Sequence, residues 1–388
     1  MARVMIFVLN CGSSSVKYRL FDGSSPLASG KVERIGEAGS PIADHEAALE
    51  QIARDLRLAS LPLEAVGHRV VHGGARFRTP TVIDSDVIDE IRALIPLAPL
   101  HNPANLEGIE LARRLRPDVP HVAVFDTSFH ATLPAAAATY AFDRGLAARY
   151  GIRRYGFHGI SFSYVARRTA TLLDRPVDEL NMIVLHLGNG ASAAAIQGGR
   201  SVETSMGLTP LEGLVMGTRT GDIDPAVAFV LARQGGLSVD DIDALYQHEC
   251  GLRGLCGDND MRTVIQRVSA GDPHAQLALD VYCHRIRKYV GAYHAVLGRL
   301  DAIVFTAGIG ENSADVRAQS LSGLLPMGIA VDPARNAAGR PERVISPDGT
   351  PVTAYVVPTD EERAIAEEIT TLLAPSARRQ VVSSTEKA

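Results

Sequence analysis

One pattern occurs twice in this chain. Val4-Met5-Ile6-Phe7-Val8-Leu9 leads into Asn10-Cys11-Gly12-Ser13-Ser14-Ser15, a second strand-like run Val16–Phe21, and Asp22-Gly23. Met182–Leu187 leads into Gly188-Asn189-Gly190-Ala191-Ser192, the run Ala193–Gln197, and Gly198-Gly199. Both read as β-hairpins with a glycine-rich turn rather than as helices. Gly12 and Gly23 are 11 residues apart, as are Gly188 and Gly199. Each copy is followed by strand and helix material of domain size, so the chain reads as an internal duplication. Its 388 residues also exceed what one hydrophobic core organises, which independently predicts two domains.

The material around the repeats alternates strand and helix. An amphipathic stretch opens at Asp44-His45-Glu46, and Ala65–Val71 is a buried strand ending in His72-Gly73-Gly74. Helices are expected over Ser85–Leu94 and Pro103–Leu115, and the strand His121–Phe125 delivers Asp126 at its carboxyl end. In the second half a helix over Ser161–Leu173 precedes the second hairpin, and two more helical stretches follow it. The strand Asp301–Thr306 ends in Ala307-Gly308-Ile309-Gly310-Glu311-Asn312, read as a third glycine-rich turn. Ala354–Val357 leads through Pro358-Thr359-Asp360 into a closing helix, Glu361–Leu373, before a polar, frayed tail from Pro375. A duplicated α/β unit with glycine-rich turns at strand ends predicts a nucleotide-binding cleft between two lobes.

Composition excludes several classes. Hydrophobic residues make up 46% and charged residues 21% of the chain, the profile of an ordinary globular protein. No apolar run reaches the ~20 residues of a membrane span, and the amino terminus runs straight into a strand, so a cytoplasmic protein is expected. The four cysteines match neither a CxxC zinc pair nor a disulfide framework and read as reduced structural thiols. A net charge of −5 without a basic run argues against a nucleic-acid partner.

Turns such as 10–15, 188–192 and 308–312 expose backbone N–H groups and approach phosphate oxygens closely. Neither GxxxxGK[ST] nor a strand–helix GxGxxG is present, so phosphates are held in some other way. Hard oxygen ligands for Mg²⁺ would be Asp126, Glu361 and Asn10. Phosphoryl transfer rests on positioning and on neutralising the equatorial oxygens. The isolated cations in glycine-rich surroundings are Arg69 (in Gly67–Gly74), Arg219 (in Met216–Pro225) and His158 (in Tyr155–Gly159).

Together these segments resemble the acetate kinase family of acyl-phosphate-forming kinases, in the superfamily of actin, Hsp70 and the sugar kinases. The motifs are Asn10–Lys17, His68–Gly74, Pro99–Pro103, Phe125–His130, Tyr155–Gly159, His186–Gly190, Gly207–Pro225 and Phe305–Asn312, in the family's order along nearly the whole chain. The resemblance implies an α/β fold of duplicated actin-like ATPase (ribonuclease H-like) domains with an interdomain active-site cleft. Its first domain would take residues 1–149 plus 361–388 and its nucleotide-binding domain residues 150–360. It implies ATP/ADP as nucleotide, Mg²⁺ or Mn²⁺ as metal, a small carboxylate as second substrate and a homodimer. Asn10 and Glu361 would hold the metal. Lys17, His186, Leu187, Gly188, Asn189, Gly190, Asp260, Met261, Arg262, Gly308, Ile309, Gly310, Glu311 and Asn312 would meet the nucleotide. Arg69 would grip the substrate carboxylate, with Val71, Leu100, Phe157 and Pro210 around its alkyl end. Asp126, His158 and Arg219 would be catalytic.

A carboxylate substrate with a pKa of about 4 is already ionised at neutral pH, so no general base is needed. Asp126 is therefore expected to orient Arg219 or a metal-bound water. The chain departs from the family at Phe162, where many members carry His, at Asp360, where Asn is usual, and at Cys11, where Ala is usual. Propionate or butyrate kinase is the alternative within the class, and an actin- or Hsp70-like ATPase the alternative outside it.

Overall fold

A computed structural model of the chain describes residues 4–37 and 39–374, and the tail from Pro375 lies outside the described residues. The chain forms two compact units, the first running to Ser128 and resuming at Asp360, the second Phe129–Thr359.

In the first unit the strands are β1 (Met5–Cys11), β2 (Ser15–Asp22), β3 (Ser25–Glu33), β4 (Leu63–Val70), β5 (Thr81–Val82) and β6 (His121–Phe125). They form one sheet in the order β3-β2-β1-β4-β6-β5. The short turns make β1, β2 and β3 antiparallel, whereas crossovers through helices make β1, β4 and β6 parallel. Leu9 pairs with His68 and Val70 with Phe125. This register sets Asn10, Arg69 and Asp126 side by side at the carboxyl ends of three neighbouring parallel strands. One core gathers Phe7, Leu9, Val16 and Leu20 with Leu49, Ile52 and Leu111, and another gathers Val70, Phe125, Phe77, Ile91 and Ile109. The predicted amphipathic stretch is the helix His45–Asp55, started by the Asp44 carboxylate, which accepts the N–H of Ala47.

The closing helix Glu361–Leu373 belongs to this first sheet. Gly67 on β4 is where it crosses, since a Cβ there would come within 2.5 Å of Ile369 Cδ1 and 2.8 Å of Ile365 Cγ2. Close approach of helix and strand is the reason for glycine at this buried position.

The second unit repeats the plan. Strands β7 (Asn181–Leu187), β8 (Ala191–Gln197), β9 (Arg200–Thr204), β10 (Ala302–Thr306), β11 (Arg343–Val344) and β12 (Thr353–Val356) lie in the order β9-β8-β7-β10-β12-β11. β7–β9 are antiparallel, β7, β10 and β12 parallel, and β11 antiparallel to β12. Position by position this matches the first sheet. The helix Gly159–Leu173 lies against β7, with Phe162, Val165 and Ala166 in a core shared with Met182, Val184, Ile196 and Val304.

Three features differ from the sequence reading. The stretch Gly308–Asn312 is not a turn but part of a short helix, Ala307–Asn312. Arg317 holds that helix, donating to the carbonyls of Gly310 (2.9 Å) and Glu311 (3.0 Å). Five helices, not two stretches, run between Ala226 and Leu297. Residues 129–149, read as part of the first domain, join the second unit: Thr132 Oγ1 donates to Ser201 O at 2.9 Å and Tyr140 hydrogen-bonds to Glu212.

Candidate active site

In the first unit the site is built on Arg69, which lies on β4. Its Nε donates to Asp126 Oδ1 at 3.1 Å and its Nη2 to Asp126 Oδ2 at 2.6 Å. Nη1 reaches Asn10 Oδ1 at 3.4 Å, and Glu361 Oε2 stands 3.5 Å from Nε. Burial by itself would lower the pKa of the guanidinium, but the charges of Asp126 and Glu361 outweigh it and hold the pKa above its ordinary value. The partner of Asp126 within this unit is thus Arg69. The reason is the strand register, which sets Arg69 beside it. Lys17 is exposed on β2, opposite Asn10 in the hairpin.

Asn10, Asp126 and Glu361 present only oxygen donors, the chemistry a hard divalent cation prefers. Among the described residues no group of three or more His, Cys, Asp or Glu side chains is placed to hold a metal ion. A set of few protein oxygens suits Mg²⁺, which retains water and phosphate oxygens in its shell.

In the second unit Arg219 donates from Nη1 to the Pro210 carbonyl at 2.7 Å, and among the described residues no carboxylate forms an ion pair with it. Burial pushes its pKa down. A buried guanidinium without a carboxylate partner favours an incoming anion. The Gly188–Gly190 turn lies beside it: a Cβ on Gly190 would sit 3.6 Å from Arg219 Nη2 and 3.7 Å from His158 Nε2. Asn189 fastens the turn, its carbonyl accepting Gly217 N–H at 2.9 Å and its Oδ1 accepting Asn259 Nδ2 at 3.1 Å. A Cβ on Gly217 would fall 2.0 Å from Asn189 Oδ1, so a larger residue there would displace the Asn189 side chain.

His158 occupies left-handed backbone, φ 57°, at the start of the helix Gly159–Leu173. Its Nδ1 lies 2.8 Å from Ser192 Oγ and its ring stacks on His186 with centroids 4.1 Å apart. His186 Nδ1 in turn meets Ser161 Oγ at 2.8 Å, which meets Thr359 Oγ1 at 2.7 Å. Leu187 is buried at the end of β7. Gly308, Ile309, Gly310, Glu311 and Asn312 follow β10 in the short helix, where Glu311 accepts Thr359 N–H at 3.3 Å and burial raises its pKa. Asp260 caps the helix Met261–Ser269 and pairs with the exposed Arg262, while Met261 is buried.

Of the four apolar positions, Val71 and Phe157 are buried, Leu100 is exposed and Pro210 half-buried. Val71 and Leu100 belong to the first unit, Phe157 and Pro210 to the second. The three departures each have a local setting. Phe162 meets the rings of His130 and His186 edge-on. Asp360 caps the closing helix and accepts from Arg19 Nη1 at 2.6 Å. Cys11 presses its thiol against Gly108 and is pushed up to a pKa of about 12, first by burial and then by Glu107.

Sequence reasoning passed over the supporting polar residues. Asn105 accepts Val71 N–H at 3.0 Å and donates to Cys11 O at 2.7 Å, and Asn102 exchanges bonds of 3.1 Å with the backbone of His72. Asn102 stands in the quoted motif Pro99–Pro103, which was the available signal. Ser161, Ser192 and Thr359 carried none, because a buried serine or threonine is recognisable only once its partner is placed.

Two units of one strand order, each opening its sheet with a hairpin on a glycine-rich turn, together with the cations Arg69 and Arg219 and the carboxylate Asp126, define a phosphotransferase of the duplicated actin-like ATPase class. The profile of the acetokinase family matches residues 5–367. The acetate kinase of Streptomyces avermitilis is 57% identical, the match covering 95% of this chain and 97% of that protein. That of Streptomyces coelicolor is 57% identical over 97% of this chain and 98% of its own length. Among solved structures, Porphyromonas gingivalis acetate kinase superposes with a TM-score of 0.89 at 40% identity, covering 95% of this chain and all of that one (100%). A propionate kinase from Francisella tularensis gives a TM-score of 0.89 at 41% identity, covering 94% of this chain and 98% of its own. The chain belongs to the acetokinase family, and is thereby an ATP-dependent carboxylate kinase, a transferase. No helix among the described residues is long and apolar enough to cross a membrane.

Proposed function

We propose that this chain transfers the γ-phosphoryl group of ATP to acetate, reversibly, giving acetyl phosphate and ADP by direct in-line displacement. The observation that carries the reading is Arg69, a guanidinium braced by Asp126 and Glu361 at the end of a parallel strand, to which we assign the anionic substrate. The acceptor is ionised at neutral pH and attacks without losing a proton, so Asp126 aims Arg69 rather than acting as a base. Arg219 and His158 offset charge on the transferring phosphoryl group, the role electrostatics demands in this chemistry. Backbone N–H groups of Gly188–Gly190 and of the helix Ala307–Asn312 hold nucleotide phosphates, with Lys17 and Asp260–Arg262 contributing further contacts. Asn10 and Glu361 hold Mg²⁺, or Mn²⁺ in its place. When bound, the metal neutralises and orients the phosphate oxygens. Val71, Leu100, Phe157 and Pro210 are assigned to the alkyl end of the substrate.

Propionate is the competing substrate, raised by the 41% identity to the F. tularensis propionate kinase beside the 57% identity to acetate kinases. One methylene is worth about 1–3 kcal/mol of discrimination. Trapping the acyl phosphate with hydroxylamine at varied acetate, propionate and butyrate decides. A higher kcat/KM for propionate would overturn acetate as the substrate while leaving the carboxylate kinase standing.

We also assign a cytoplasmic homodimer. The helix Ala226–Gly235 buries none of its residues, and Phe229 (58% exposed) and Val239 (82% exposed) present apolar surface that a second copy would cover. Sedimentation of the Phe229→Asp variant at half the wild-type mass is the expected result, and a monomeric wild type would end the assignment.

A further inference from the structure

The motif Phe125–His130 supplies Asp126 to the site and leaves its histidine without a role. His130 is 1% exposed, and both ring nitrogens are engaged. Nε2 lies 3.0 Å from the carbonyl oxygen of Phe157 and Nδ1 lies 2.8 Å from Ser201 Oγ. A carbonyl only accepts, so Nε2 carries the proton and Nδ1 accepts from the serine hydroxyl. Burial pushes the imidazole pKa down to about 4, which keeps this neutral tautomer in place at neutral pH. The ring stands edge-on to Phe162 at 5.6 Å, so the departure from histidine at position 162 supplies part of its apolar wall. Gly156 also borders the ring, since a Cβ there would come 2.6 Å from His130 Cγ.

The bonded carbonyl sits between two left-handed residues, Gly156 at φ 75° and His158 at φ 57°. That conformation is unfavourable for a residue with a Cβ and persists only where the surroundings enforce it. The Phe157 carbonyl and the His158 N–H share one planar peptide unit. Holding the oxygen fixes the plane about which φ of His158 turns. Phe157 itself is buried, 1% exposed, which holds the same residue in place. His158 then reaches Ser192 and stacks on His186 as described.

We propose that His130 is a positioning residue of the phosphoryl-transfer site: through its Nε2–H bond to the Phe157 carbonyl it holds His158 in left-handed backbone and so aims the His158 imidazole. The proposal rests on the role given above to His158.

The test compares His130→Ala with His130→Gln, whose amide nitrogen can take the place of Nε2 as donor. In ¹⁵N-labelled full-length protein the ring signals of His158 are expected to shift in His130→Ala and to stay in place in His130→Gln. In parallel, kcat is expected to fall about 100-fold in the alanine variant, with KM for ATP and acetate nearly unchanged, and to recover most of that loss in the glutamine variant. Unchanged His158 signals in His130→Ala, or a glutamine variant as damaged as the alanine one, would overturn the proposal. Should His130→Ala not fold, His130→Gln alone decides, since displaced His158 signals with the donor retained contradict the proposed bond and retained signals support it. A wild-type protein that traps no acyl phosphate would sink the assigned reaction, and the ring signals would still decide the role of His130.

Discussion

Asp126 grips Arg69 with both carboxylate oxygens, Oδ1 on Nε at 3.1 Å and Oδ2 on Nη2 at 2.6 Å. The Asp126 side chain is 1% exposed and that of Arg69 18%, so water contributes little to either charge. Replacing one partner leaves the other buried with its main counter-charge gone. Asp126→Ala is expected to lower stability by about 3 kcal/mol, and the Arg69→Ala/Asp126→Ala pair by clearly less than the sum of the single changes. Chemical unfolding of the four proteins checks this, and strict additivity would show that the contact is not energetically coupled.

Arg219 is the contrasting case. It donates to the Pro210 carbonyl, pairs with no carboxylate among the described residues, and burial already works against its charge. Arg219→Ala should therefore cost little stability while kcat falls on the order of 10³-fold, the scale set by a cation that stabilises a transferring phosphoryl group. A thermal melt and the hydroxamate assay on one preparation separate the two. A large loss of melting temperature with kcat retained would assign Arg219 to the scaffold.

Acid sensitivity is expected from a buried histidine pair. His121 Nε2 donates to Arg116 O at 3.0 Å, so its Nδ1 accepts from His68 Nε2 at 2.9 Å, and both rings are neutral. Burial, more than neighbouring charge, holds both pKa values below the ordinary one. A histidine whose folded pKa is depressed contributes stability that is complete above its unfolded pKa, about 6.5, and is lost as pH falls through the folded value. Melting temperature should decline below about pH 6.5, and less steeply in His68→Gln. An equal slope in wild type and variant would show that the pair does not titrate during unfolding.

Cys11 and Gly108 are predicted to covary. A Cβ on Gly108 would lie 2.3 Å from Cys11 Sγ and 2.9 Å from its Cβ. Gly108→Ala should destabilise the chain by about 1–3 kcal/mol through overpacking, and adding Cys11→Ala should recover part of the loss. Cys11→Ala thus becomes the rescuing substitution, and unfolding midpoints of the two variants provide the check.

What could be read from sequence follows from where each signal lies. Both hairpins were legible because strand alternation and glycine-rich turns are local. Asn10 and Asp126 were legible as strand-end residues and Arg69 as an isolated cation in glycine-rich surroundings, and the parallel register of β1, β4 and β6 then brought them together. The pairing of Asp126 with Arg69 was not, since register is a non-local property. β3 contains Pro26 and Gly30 and is mostly exposed, so no periodicity marked it, and it forms because β2 offers it a ladder. The helix Ala307–Asn312 has two glycines in six residues, and tertiary bonds from Arg317 override that poor propensity. His130 was visible in its motif, but its purpose depended on a carbonyl that only folding places beside it.

The helix Glu361–Leu373 covers Gly67 on a strand made far earlier in translation. All six strands of the first sheet leave the ribosome before Ile365 and Ile369 do, and the whole second unit is synthesised in between. Until those two isoleucines arrive, the face of β4 over Gly67 has no cover and is open to water or to a chaperone. Glu361 comes on the same helix, so a prematurely released chain lacks both the cover and the carboxylate. Completion of the first unit of this enzyme therefore waits on synthesis of the whole second unit.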